Sequence, residues 1–399
     1  MNYRLLNTNL AKPLLNFDLN EEFFSYVSND NSDIITVSKP SLPPVEEFIP
    51  LIQQIWRSGQ ITNNGDFHKK FENVLGEYLD NKNVSLVANG TLALLLALKA
   101  LDVKGEVITT PYSFVATSHV LNWNGLTPIF CDINPKTLNI CSKKIEPLIT
   151  ENTTAILATH VYGRPCDLEK IDLIAKKYNL KVIYDAAHAF GVKVNNKSLL
   201  NFGDVSAVSF HGTKVFTTFE GGAVVAKNND IKLKIDMYKN FAFKNENTVV
   251  DVGINAKMNE FQAALGLLQF KYFDKYINCR KRLYNYYLSK LKHISGIDLN
   301  FIPKNLIYNY SYLPIFINKK KFGKSRDELY DHLKHNNILA RKYFYPLITD
   351  YPSYKNSKNS SHKDIPNAFK ISRSVLCLPL HTSLDTKIID KIIYLIKNI

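Results

Sequence analysis

Lys214 stands in the segment His211-Gly212-Thr213-Lys214, directly after the β-rich run SAVSF and before TTFEGG. A lysine crowded among small residues beside a buried strand has its pKa lowered and becomes a nucleophile toward aldehydes. Upstream, Asp185-Ala186-Ala187-His188 follows the run KVIY, and the two alanines leave room for a flat ring next to a carboxylate. Further upstream, Ala88-Asn89-Gly90-Thr91 joins the run VSLV to strongly apolar helical text. There Asn89 reads as a helix cap, Gly90 admits close backbone approach, and outward N–H groups make an anion site. Ser209 can add a hydroxyl to the same anion. Each feature alone has a plainer reading: a surface lysine, a turn-capping aspartate, an ordinary helix cap, a strand serine.

The elements that must position these residues are legible as an alternation of short β-rich runs with longer helical text. The runs are 84–87, 106–109, 127–130, 155–159, 181–184, 206–210 and 222–226, and helical text separates most of them, notably at 91–101 and 167–178. This pattern predicts a mostly parallel seven-stranded α/β sheet covered by helices on both faces. Helical spacing also marks 45–57 and 67–78, and a long helix is expected from Asn259 to about Lys292. Beyond it, LPIFI at 313–317, a helix near 325–335 and LCLPL at 376–380 read as a smaller α+β domain. The expected division is an N-terminal extension at 1–35, a large domain at 36–275 and a small one at 276–399.

Open α/β sheets bind ligands at the carboxyl ends of their strands, which is where Lys214, Asp185 and Gly90-Thr91 fall. Pyridoxal 5′-phosphate needs an amine for its aldehyde, a carboxylate to keep its ring nitrogen protonated, and donors for its phosphate. The three sites supply those three needs, so pyridoxal phosphate is the expected cofactor.

Composition excludes several other classes. Five cysteines with no C-x-x-C pair suggest neither a disulfide framework nor a zinc site. The N-terminus has no apolar signal-peptide core and no stretch approaches the length of a membrane span, so a cytoplasmic protein is expected. The net charge of +14 favours an anionic partner, but lysines are spread along the chain and no nucleic-acid motif is present.

The segments KPSLPPVEEF, ITNNGDFHKKFE, ANGTLALLLAL, TTPYSFVAT, THVYGRPCDLEKI, VIYDAAHAFG, SFHGTKVFTTFEGG, GINAKMNEFQAALG, YFYPL and LCLPLH occur in order from about Val37 onward. This series resembles the DegT/StrS-type sugar aminotransferases, within the aspartate-aminotransferase-like (fold type I) architecture. The resemblance implies Lys214 as the Schiff-base lysine, Asp185 on the ring nitrogen, His188 beside the ring hydroxyl and Phe114 stacked on the ring. It implies that Asn255 reaches the phosphate of a neighbouring subunit's cofactor, making a homodimer with shared active sites. It also makes Tyr345 and His160 candidates for contact with the sugar. The implied reaction is transamination of a nucleotide-linked keto-sugar with glutamate as donor. DAAHAFG and SFHGTKVFTTFEGG are most similar to enzymes making dTDP-4-amino-4,6-dideoxyglucose for O-antigen or related surface glycans. A 3-keto or UDP-linked sugar stays open. So do a sugar dehydratase, against which Lys214 argues, and a non-catalytic nucleotide-binding regulator.

Overall fold

The computed structural model describes residues 34–299, 302–303 and 305–399, of which Thr36–Ile399 forms one compact unit. The expected N-terminal extension lies, for residues 1–33, outside the described residues.

Two amphipathic helices come first, α1 (Val45–Ser58) and α2 (Asp66–Leu79). Then follow β1 (Val84–Val87), α3 (Gly90–Ala100), β2 (Glu106–Thr109), α4 (Ala116–Trp123), β3 (Thr127–Phe130) and β4 (Thr153–Thr159). Next are α5 (Leu168–Tyr178), β5 (Lys181–Asp185), β6 (Val205–Ser209), β7 (Gly222–Ala226) and α6 (Asn229–Tyr238). The seven strands form one sheet in the order β1-β7-β6-β5-β4-β2-β3. Only β7 runs antiparallel to its neighbours β1 and β6, and the other pairs are parallel. This is the mostly parallel sheet expected from the alternating pattern. Strands β1, β2 and β7 are buried at every position, as a sheet covered on both faces requires. The helix α3, GTLALLLALKA, is apolar around most of its circumference and packs at once on β6, β7, α4 and α6.

The long helix is α7 (Glu260–Leu291), opened by a capping box between Asn259 and Gln262. After it come β8 (Ile297–Leu299), β9 (Leu313–Ile317), α8 (Arg326–His335), β10 (Val375–Leu378) and α9 (Thr386–Lys397). β9 pairs antiparallel with β8 and with β10, making a second, three-stranded sheet. α7 packs on α1 and α2 and also on α9 and β8, and the expected domain boundary at 275/276 falls inside it. No described helix is long and apolar enough to cross a membrane.

The layer between α2, α7 and the sheet is aromatic. Phe190 and Phe216 stand 4.5 Å apart by ring centroids, and Phe216 and Phe270 stand 5.0 Å apart. Gly266 of α7 permits this closeness, since a Cβ there would stand 2.5 Å from the Phe71 ring. The buried Glu260 carboxylate accepts from the backbone N–H groups of Phe67 and His68, both at 2.9 Å. It therefore stabilises the N-terminal turn of α2, where unpaired N–H groups and the helix dipole favour negative charge. Glu260→Ala leaves two N–H groups without their charged acceptor and is expected to cost about 2–4 kcal/mol of stability. Glu260→Gln should cost less, and the comparison is made by urea unfolding; an unchanged midpoint for the alanine variant would show that the strut contributes nothing.

Candidate active site

The carboxyl ends of β5 and β6 lie side by side, with Asp185 in register with Ala207. A cavity of about 680 Å³ opens beside them. The turn after β1 contributes Gly90 and Thr91, the segment before α4 contributes Ser113 and Phe114, and β5 leads in Asp185, Ala187 and His188. Ser209 comes from the end of β6, and Lys214 from the loop that follows, with His211, Thr213 and Glu220. The later part of the chain adds Tyr312, Arg341, Tyr343 and Phe344.

Local backbone bonding fixes the lysine loop. Phe210 N–H donates to Gly221 O at 2.8 Å, Thr218 N–H to Phe210 O at 2.9 Å, and Lys214 N–H to His211 O at 2.9 Å. At the mouth of α3, the Asn89 side chain accepts from Leu92 N–H at 2.9 Å, which is the expected cap. The helix geometry leaves the N–H groups of Gly90 and Thr91 without intrahelical acceptors. A Cβ on Gly90 would lie 2.8 Å from Ser209 Cβ, so only glycine lets this turn close onto the end of β6.

Asp185 is buried, and its carboxylate accepts from the Thr117 hydroxyl at 2.6 Å and from Ala187 N–H at 3.2 Å. Burial pushes its pKa up, while Thr117, the Ala187 N–H and the Lys214 charge oppose the rise. Burial lowers Lys214 to about 8, with Asp185 opposing. Burial also pushes His188 well below the usual histidine range, and the Lys214 charge adds to this. The neutral His188 ring accepts from Tyr162 N–H through Nδ1 at 3.2 Å, which leaves the proton on Nε2. These shifts are those of a desolvated acid–base cluster in a cleft.

Of the residues named from the sequence, Lys214, Asp185, His188, Gly90, Thr91, Phe114 and Ser209 share this cavity. Phe114 keeps 57% of its surface exposed and offers an open ring face. Three others stand elsewhere. Asn255 is exposed in an antiparallel bridge with Asn240. His160 is wholly buried, lies flat on Tyr184 at 4.4 Å and accepts from Cys166 N–H at 3.2 Å, so it packs beneath the sheet end and does not line the cavity. The ring of Tyr345 sits under the Arg326 guanidinium at 4.6 Å, and the preceding residues Tyr343 and Phe344 form the wall in its place. Of the two alanines, Ala187 lines the cavity while Ala186 packs into the core.

Thr117 was not evident from the sequence as a partner of Asp185. Tyr312 and Arg341 carried no signal in the sequence, while Tyr343 lies in the segment YFYPL that carries the resemblance. Together the cavity brings an amine of lowered pKa and a buried carboxylate to adjacent strand ends, beside a helix N-terminus closed onto a serine. That donor set fits a flat aldehyde-bearing heterocycle with a phosphate tail, and the Gly90 cradle, which a Cβ would fill, fits the phosphate.

Comparison with known proteins agrees with this geometry. The model of the DegT/DnrJ/EryC1/StrS aminotransferase family matches residues 44–397. The chain is 50% identical over 365 residues to a dTDP-4-amino-4,6-dideoxy-D-glucose transaminase of Shigella dysenteriae, covering 92% of this chain and 99% of that one. It is 47% identical over 363 residues to a protein of the same name in Escherichia coli, covering 91% and 98%. Among solved structures, DesI, crystallised in the presence of its TDP-sugar product, superposes with a TM-score of 0.87 at 29% identity, covering 92% of this chain and 93% of that one. With a family match over nearly its whole length and a cavity whose donors suit amino-group transfer, the chain belongs to the DegT/DnrJ/EryC1/StrS aminotransferase family.

Proposed function

We propose that this sugar aminotransferase uses pyridoxal 5′-phosphate to move an amino group from glutamate to a nucleotide-linked 4-keto-6-deoxy sugar. The sugar is dTDP-4-keto-6-deoxy-D-glucose and the product dTDP-4-amino-4,6-dideoxyglucose. The observation that carries the cofactor is the meeting of Lys214 and Asp185 in one cavity at adjacent strand ends. What supports the sugar is the name shared by two relatives at 50% and 47% identity over more than nine-tenths of the chain.

When bound, pyridoxal phosphate supplies an aldehyde that carries the amino group and a ring that accepts electrons from the reacting carbon. Lys214 Nζ would hold the cofactor's aldehyde carbon, and as a free amine it would move the proton to and from the reacting carbon, a general acid–base role. Its lowered pKa of about 8 suits this role, because both protonation states are then accessible near neutral pH. The Asp185 carboxylate holds the proton on the ring nitrogen, and the Thr117 hydroxyl at 2.6 Å keeps that carboxylate oriented and ionised. The N–H groups of Gly90 and Thr91, with the Ser209 hydroxyl, hold the phosphate. His188, with its proton on Nε2, would donate to the ring hydroxyl, and Phe114 would cover the ring's open face.

Asn255, exposed and away from its own cavity, suits a role at the phosphate of a partner subunit's cofactor, which requires a homodimer. A nucleotide-sugar substrate and glutamate donor place the reaction in the cytoplasm, with the product serving O-antigen or related surface-glycan synthesis.

Two outcomes test this reading. Protein mixed with pyridoxal phosphate should develop a visible absorption band that Lys214→Ala abolishes. Incubation with glutamate and dTDP-4-keto-6-deoxyglucose should give an amine at C4 by NMR, and no amine at all would falsify the proposal. The neutral amine is the nucleophile, and its pKa is lowered from 10.5 to about 8. The rate of cofactor capture by apoprotein should therefore rise with pH through about 8 and level off above it. In Asp185→Asn the inflection should move lower, because the carboxylate's charge raises the lysine pKa.

A further inference from the structure

Arg341 lines the cavity, yet no step described above uses it. Its backbone is clamped to β10: Arg341 N–H donates to Cys377 O at 3.1 Å, and Cys377 N–H donates to Arg341 O at 2.8 Å. The side chain is held by Tyr343, whose hydroxyl accepts from Nη2 at 3.2 Å and whose ring lies 5.0 Å from the guanidinium carbon. Among the described residues the guanidinium meets no carboxylate. The two acids of the cavity are already engaged. Asp185 is bound by Thr117 and the Ala187 N–H, and Glu220 lies 3.5 Å from His211. Neighbouring cations share a carboxylate instead: Lys342 pairs with Asp327, as Arg326 does on the other side of Tyr345.

A guanidinium fixed by a ring and a phenol presents its remaining N–H groups as a planar fork, and such a fork matches a pair of anionic oxygens. Neither contact uses up that fork. Resting on the aminotransferase reading above, we propose that Arg341 is the residue that binds the anionic oxygens of the substrates in this cavity. Two sources share that chemistry. One is a carboxylate of the amino-acid donor, and the other is the diphosphate of the nucleotide sugar.

Direct binding separates the sources without depending on turnover. Glutarate, a dicarboxylate with no amine to transfer, stands for the donor, and dTDP stands for the nucleotide. Calorimetric titration of cofactor-loaded wild type, Arg341→Met and Arg341→Lys with each probe should show weaker binding of at least one by about 10- to 100-fold in the methionine variant. The lysine variant should lose less, because an ammonium keeps the charge and loses the fork. Weaker glutarate binding assigns the donor carboxylate, and weaker dTDP binding assigns the diphosphate. In steady state the matching KM should rise while the visible cofactor band stays unchanged. If neither probe weakens in either folded variant, the assignment of Arg341 is overturned. If instead wild type takes up no cofactor and transfers no amine, the aminotransferase reading itself fails, independently of what the arginine does.

Discussion

A half-buried amine and a buried carboxylate at the ends of two adjacent strands set the demands on everything around them. Burial disfavours the charged form of each group, which lowers Lys214 and raises Asp185, while their mutual attraction opposes both shifts. In such a pair the desolvation of each charge competes with the Coulomb gain. A second charge placed between them, such as a protonated ring, relieves the carboxylate. The Thr117 hydroxyl and the Ala187 N–H hold it ready for that partner.

Placement of the pair depends on the sheet, and the sheet depends on α3. This apolar helix closes the layer behind β6 and β7, and its first turn faces the cavity. One element therefore serves the core through its leucines and the ligand through its open N–H groups. Gly90 joins the two roles, since any side chain there would force the helix away from Ser209.

The distant wall is coupled to the same centre through Tyr162, whose backbone has φ 55°. Its N–H donates to His188, its carbonyl accepts from Tyr308 and Ser311, and its hydroxyl meets Tyr112 and the carbonyl of Tyr343. Phe344 stacks in parallel with both Tyr162 and His188. Residues 343–344 are thereby registered against the strand ends, and Arg341 is carried into position with them. Interactions of this kind favour one arrangement of the wall over its neighbours.

The sequence by itself determined the alternation of strands and helices, the long helix after Asn259 and the clustering of Lys214, Asp185 and Gly90 at strand ends. Hydrophobic periodicity and cap chemistry are local, so they are written in consecutive residues. Tertiary structure alone decided what depends on contacts between distant segments. It turned Ala186 inward and Ala187 outward, buried His160 under Tyr184, and gave the cavity wall to Tyr343 and Phe344 in place of Tyr345. It also brought Thr117 to Asp185 and Arg341 to the cavity. A side chain's direction at such positions is set by the packing of elements far apart in the chain, and no short-range pattern encodes it.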